Sequence, residues 1–224
     1  MPAHDQVEFE RRRQQIIDGA LEVFASFGFE KATNKDIAQA ANIGSPGLIY
    51  HYFKDKSDLF QQVLEQRIPL LQLLANSGDE ILTKPPQEVL TIFASAFLKT
   101  LENPTAVAMF KLVMSEAFRQ PKVAEVMNNA GPSREMAFLS RYLAKQMSLG
   151  VLKPIDPAAA AYCFIGSLLA YIFTREIFPQ ADSQQLDAET MVKTTVEVFL
   201  QGMLITDGDV SKPGKQESLV SKHR

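Results

Sequence analysis

Between Lys31 and Lys56 the chain carries four lysines (Lys31, Lys35, Lys54 and Lys56) against two aspartates, Asp36 and Asp55. Inside that frame lie Gly47, Leu48, Tyr50 and His51, which helical spacing puts on the side opposite Ile49 and Phe53, with Tyr52 nearby. An exposed face of Gly, Leu, Tyr and His is unusual for a solvated helix, which should carry Lys and Glu. The chemistry open to such a set is recognition rather than bond-making. Ammonium groups neutralise phosphates, Gly47 permits close approach, Leu48 can touch a thymine methyl, and His51 can donate to a base edge or a phosphate. Each of the four could by itself be an ordinary surface residue; the four together favour a groove. Bond-making constellations are missing: there is no P-loop, GxGxxG, GxSxG, HExxH or paired-cysteine spacing. The single Cys163 excludes an intramolecular disulfide, and His4, His51 and His223 are too scattered for a metal cluster. No enzyme, metal or cofactor is expected.

The elements that must position these residues are written in three helix-start signals between Thr33 and Lys56. Thr33-Asn34-Lys35-Asp36 resembles a capping box with Asp in place of Glu. Ser45-Pro46 is an N-cap serine followed by proline at the first helical position. Asp55-Lys56-Ser57-Asp58 repeats the cap-plus-carboxylate pattern. A second helix over about 34–41, a turn at Asn42-Ile43-Gly44 and a third helix over about 45–53 follow. Helices this short cannot persist alone and must dock on longer neighbours, which is the form of a helix-turn-helix. Ile37, Ala38 and Ala41 face inward, and Ile43 pins the turn.

Before this stretch, Arg13, Ile16, Ile17, Ala20, Leu21 and Phe24 follow helical spacing from Val7 to Phe27, and Gly28 sits where a glycine would end the helix. Phe27 and Phe29 are expected to plug the small core. Residues 1–6 read as a mobile lead. Arg11, Arg12 and Arg13 form the only cationic triplet, either a solvated face or a contact to phosphates. The overall net charge is −3, and the first 67 residues hold eight Lys/Arg against ten Asp/Glu. Positive charge is therefore local to the proposed reading helix. The N-terminus has no apolar run of the secretory kind, so the cytoplasm is the default location.

After Asp55 a fourth helix runs towards Pro69, which must kink or end it. The body then reads as helices over about 86–102, 105–119, 121–129, 133–149, 157–178 and 187–206, punctuated by Pro and Gly, with no useful β-alternation. The stretch 157–174 has no charge and reaches the minimum length of a membrane span, but its Ala content and flanking charges favour a helix buried in a bundle, with no membrane partner. Together with the stripe Met191, Thr195, Val198, Phe199, Gly202 and Met203 it exceeds what the body needs. Segments 157–178 and 187–206 can therefore form a self-complementary face between two copies. Phe93, Phe97, Met109, Phe110, Met114, Phe118, Met136, Phe138, Tyr142 and Tyr171 are either core or the wall of a cavity for a small apolar or amphipathic effector. The polar tail 207–224 reads as disordered.

Several spaced motifs carry a family resemblance. Thr33-x-x-Asp36-Ile37-Ala38, Ser45-Pro46-Gly47, Tyr50-His51-Tyr52-Phe53 and Lys54-Asp55-Lys56-x-x-Leu59, preceded by Leu21-x-x-Phe24-x-x-x-Gly28-Phe29, resemble the N-terminal domain of TetR-type transcriptional repressors. The turn Asn42–Ser45 is one residue longer than usual, Leu48 stands where Thr is common, and Tyr52 where His is common. The resemblance implies an all-α chain in which a helix-turn-helix head (7–67) is joined by a connecting helix to a helical ligand-binding and dimerisation bundle (68–206). It further implies a homodimer on a near-palindromic DNA operator, released by a small molecule. Thr33, Tyr50 and Lys56 would be phosphate contacts, and Ser45, Gly47, Leu48 and His51 would lie nearest the groove. Lys35, Pro46, Tyr52 and Lys54 complete the DNA-facing set. The competing reading is a helical small-molecule-binding protein whose head no longer reads DNA, which the acidic balance of residues 1–67 favours.

Overall fold

Nine of the twelve helices among the described residues follow a start that their sequence specifies. The computed structural model describes residues 3–205, so the tail read as disordered lies outside the described residues. In chain order the helices are α1 Ala3–Lys31, α2 Asn34–Ala40, α3 Ile49–Tyr52, α4 Lys56–Arg67, α5 Pro69–Asn76, α6 Pro86–Lys99, α7 Pro104–Ala117, α8 Pro121–Ala130, α9 Pro132–Ser148, α10 Pro157–Ile172, α11 Ala181–Gln185 and α12 Ala188–Met203. Proline stands at the first turn of α5 to α10, where its missing N–H costs no bond. Asn103, Asp156 and Asp187 add side-chain caps to α7, α10 and α12. Thr33 and Asp55 cap α2 and α4, α3 continues a 3-10 turn capped by Ser45, and α11, a single polar turn, has neither device.

Three expectations are corrected. Helix α1 begins at Ala3, so most of the supposed lead is helical; Arg11 and Arg12 both bond Glu8 one turn back, which supports this end. Phe27 is about half exposed, and Phe29 alone enters the core, because the bend at Gly28 turns the two rings to opposite sides. Helix α10 is long and apolar enough, with the π-turn at 173–177, to cross a membrane by length and composition, yet it is not buried all round. Phe164, Ile165, Leu168 and Tyr171 pack inward, while Tyr162, Cys163, Gly166 and Ala170 are exposed on the other side.

Two buried clusters result. The N-terminal one centres on Ile16, Ile17, Phe24, Ile37, Ile49, Phe53 and Phe60, and it continues into Leu71, Met109 and Val113. The second joins α6, α9, α10 and α12 around Phe93, Tyr142 and Phe164. The first cluster thus crosses the break at Ile68, and α1 packs along α7. An isolated bridge between Leu152 and Leu204 ties the α9–α10 loop to the end of α12, with Lys153 N–H donating to Met203 O at 2.8 Å.

Candidate nucleic-acid interface and ligand cavity

The surface expected to read DNA is built from the three predicted caps outward. Asp36 N–H donates to Thr33 Oγ1 at 3.2 Å, and Thr33 N–H donates back to the Asp36 carboxylate at 3.3 Å, completing a capping box. Helix α2 closes with Asn42 at φ 49°, Asn42 N–H on Gln39 O at 3.1 Å and Ile43 N–H on Ala38 O at 3.0 Å, the paired bonds of a Schellman motif. Gly19 on α1 lets the end of α2 come close: a Cβ there would lie 2.5 Å from the Ala41 nitrogen. The third helix is shorter than expected. Ser45 caps a 3-10 turn over Pro46–Leu48 that leads into the single α-turn of α3. Asp55 accepts from Asp58 N–H at 2.9 Å, and the Asp58 carboxylate accepts from Lys54 N–H at 2.9 Å. Thr33→Ala removes the cap acceptor of α2 and is expected to cost about 1 kcal/mol in denaturant unfolding; no measurable loss would show that the box contributes nothing.

Ile49 and Phe53 anchor α3 from below, as the spacing predicts. Lys31, Thr33, Lys35, Ser45, Pro46, Gly47, Tyr50, His51 and Lys54 are exposed around it. Leu48 is half-buried against the N-terminal core. Tyr52 is also half-buried, its ring 4.7 Å from Phe9 of α1, and the His51 ring stands edge-on to Tyr52 at 5.2 Å. Tyr52 is therefore partly a packing residue. Lys56, expected to reach a phosphate, departs furthest: its Nζ donates to Glu30 O at 3.0 Å and Ala32 O at 3.1 Å, over the Phe29 ring. Burial pulls its pKa below the usual lysine value. Lys56 holds the corner between α1 and α2. The arginine triplet is similarly engaged, with Arg13 on Gln62 at 2.6 Å and over the Phe53 ring.

The same corner is held from the other side by a residue that sequence reasoning missed. Buried Glu116, in the last turn of α7, accepts from Phe29 N–H at 2.7 Å and from Glu30 N–H at 3.2 Å. These donors are free because Gly28, at φ 80° and ψ 179°, interrupts α1. A carboxylate late in a helix opposes the dipole and has no local reason to be there, which is the only signal the sequence offers.

Seven residues before Glu116, Met109 enters the wall of a cavity of about 660 Å³. Of the expected ligand-facing residues, Phe97, Met109, Phe110 and Met136 line it, with Phe60, Leu64, Val113, Ile165 and Leu169. Met114 and Phe118 border a shallower hollow beside Phe173 and Ile177. Phe93, Tyr142 and Tyr171 are corrected to core. Phe93 is enclosed by Phe138 and Phe164; the Tyr142 hydroxyl donates to Lys84 O at 2.8 Å; the Tyr171 hydroxyl donates to Leu186 O at 2.8 Å. Buried tyrosines whose hydroxyls find backbone acceptors are structural pins. Cavity-facing Glu135 was also missed; burial pushes its carboxyl up to about 7. Among the described residues no group of three or more His, Cys, Asp or Glu could hold a metal ion.

Comparison with known proteins agrees with this architecture over most of its length. Over 60 residues the chain is 43% identical to the HTH-type transcriptional repressor Rv1474c of Mycobacterium tuberculosis, a match covering 27% of this chain and 32% of that repressor. It thus spans about a third of that relative's length. The uncharacterized HTH-type transcriptional regulator YhgD of Bacillus subtilis is 25% identical over 181 residues, 80% of this chain and 90% of the relative. Among solved structures, SmeT in complex with triclosan, from Stenotrophomonas maltophilia, superposes with a TM-score of 0.68 at 21% identity, covering 95% of this chain and 100% of that one. FadR of Bacillus subtilis in complex with stearoyl-CoA gives a TM-score of 0.64 at 21% identity, covering 84% and 98%. At these identities the structural likeness speaks for the fold. Residues 16–63 match the model of bacterial regulatory proteins of the tetR family, and residues 88–202 match that of the AefR-like transcriptional repressor C-terminal domain. The chain belongs to the TetR family of bacterial regulatory proteins.

Proposed function

We propose that this protein is a homodimeric repressor that binds a near-palindromic DNA operator and is released from it by a small apolar or amphipathic molecule. The carrying observation is α7: its Ala106–Val113 stretch lines the cavity, and its Glu116 grips the corner from which α2 starts. A ligand that moves α7 therefore acts on the reading head through a short, buried connection. Residues up to 67 serve as the head and 68–206 as the ligand and dimer body. DNA contacts fall to Thr33, Lys35, Ser45, Pro46, Gly47, Leu48, Tyr50, His51 and Lys54, joined by exposed Lys31, with Lys56 positioning them. The exposed side of α10 (Tyr162, Cys163, Gly166) and exposed Val198 and Gly202 of α12 favour pairing of two copies through 157–178 and 187–206.

The test is selection of genomic fragments by the purified protein, followed by anisotropy titration of the recovered site. A two-fold symmetric site is expected. With six to ten phosphates neutralised, affinity should fall by about 10³–10⁵ between roughly 50 and 200 mM salt. No enriched fragment, or binding indifferent to salt, would leave the competing reading of a small-molecule-binding protein that does not read DNA.

A further inference from the structure

The chemistry of the cavity wall narrows the class of molecule it takes, and this inference rests on reading the cavity as the effector site. No Lys, Arg or His is among the lining residues, while two glutamates, Glu135 and Glu176, are. Glu176 already pairs with Lys111 at 2.8 Å. Glu135 has no such partner among the described residues. Its neighbour Arg134 turns away to Glu65 on α4. Glu135 lies in the first turn of α9 beside Gly131, its Oε1 3.7 Å from where a Cβ on that glycine would sit. A carboxylate at a helix start is ordinarily wet and favoured by the dipole. Here desolvation prevails, and its pKa rises to about 7.

An acid without a cation, in a largely apolar chamber of drug-like size, is a half-built ion pair. A ligand headed by a carboxylate or phosphate would bring a second negative charge into a low-dielectric space with no base to meet it. A ligand carrying a fixed positive charge completes the pair. We propose that the effector is a lipophilic ammonium, its cation against Glu135 and its apolar part among Phe97, Met109, Phe110 and Met136.

The proposal makes a pH statement as well. Binding a quaternary ammonium, which cannot titrate, should draw Glu135 into its ionised form and release a proton near pH 7, so affinity should rise with pH through 7. The other charged or titratable side chains lining the cavity are Tyr162 and Glu176, the latter paired with Lys111, while Arg134 beside Glu135 pairs with Glu65. Loss of the proton release in Glu135→Gln is what assigns the change to Glu135.

The experiment is isothermal titration calorimetry of the full chain with 6-phenylhexyl-trimethylammonium and its neutral analogue 6-phenylhexan-1-ol. Both are titrated into the native protein and into Glu135→Gln, in two buffers of different ionisation enthalpy. The native protein should prefer the cation by about tenfold or more at pH 8, with proton release at pH 7, as a desolvated charge pair requires. Glu135→Gln should lose that preference and the proton release while binding the alcohol unchanged. The variant's folding has its own control: raised pKa stability is present below about 4.5 and lost as pH rises through about 7, so Glu135→Gln should melt higher than native at pH 8. Equal affinity for alcohol and cation in the native protein, failure of both to bind, or retained cation preference in Glu135→Gln overturns the proposal. Operator release is read separately. Cation binding through Glu135 without loss of DNA would instead sink ligand-driven derepression and leave this site standing.

Discussion

Gly28→Ala is expected to lower the unfolding free energy by about 3 kcal/mol or more, one of the two largest single-residue effects this chain should show. Two terms act together. At φ 80° and ψ 179° the backbone occupies a region essentially confined to glycine, worth about 1–3 kcal/mol to any side chain forced into it. A Cβ at this point would also stand 2.5 Å from Glu116 Oε1, with the rest of the carboxylate within 2.8 Å. The carboxylate must then withdraw from the Phe29 and Glu30 N–H groups, and a buried donor left unpaired costs about 1–3 kcal/mol more. Glu116→Ala should itself lose about 2–3 kcal/mol by the same unpairing. The double variant must then be less damaging than the sum, because the clash vanishes with the carboxylate. Urea unfolding of all four proteins measures this; strict additivity would show that the two residues do not act on one another.

Phe60→Ala is the second large effect. The ring is buried, edge-on to Phe24 at 5.2 Å and 89° and to Phe29 at 5.2 Å, and its other side lines the cavity. Deleting it should cost about 3–5 kcal/mol, as for other buried aromatics. It should also join the cavity to the void left among the aromatics, so that the variant accepts bulkier apolar ligands. Phe60→Leu keeps most of the volume and should lose less stability. Thermal unfolding with and without ligand separates the two effects. A loss below about 1 kcal/mol for the alanine variant would show that the cluster can close over the gap.

The parts legible in the sequence were those governed by local rules. Thr33, Ser45 and Asp55 cap where they stand, and every body helix except α11, which was not expected, starts within a residue or two of its proline or acidic cap. Ile49 and Phe53 face inward because a helical turn leaves them no other side. What stayed hidden depends on partners far along the chain. Glu116 meets Phe29 across 87 residues, and nothing near either announces the other. Lys56 looked like a free cation because the carbonyls it binds, at residues 30 and 32, are backbone and leave no trace in residue type. Among the aromatics, Phe97 and Phe110 face the cavity while Phe93 and Tyr142 do not, and only the placement of α9 and α10 around them decides this. Glu135 resembled an ordinary first-turn acid; its desolvation comes from the neighbours that close the chamber.

The turn after α2 carries a consequence for how such a protein can change over time. Its hydrogen bonds end at Ile43, and the next helix is set independently by Ser45, so Gly44 between them belongs to neither device. A side chain at Gly44 would meet nothing within 4 Å, and its backbone is not left-handed. A side chain at this joint is therefore nearly free of folding cost, whereas a change in its backbone path shifts how α3 is presented to a groove. The joint is a place where recognition can drift while stability stays under selection.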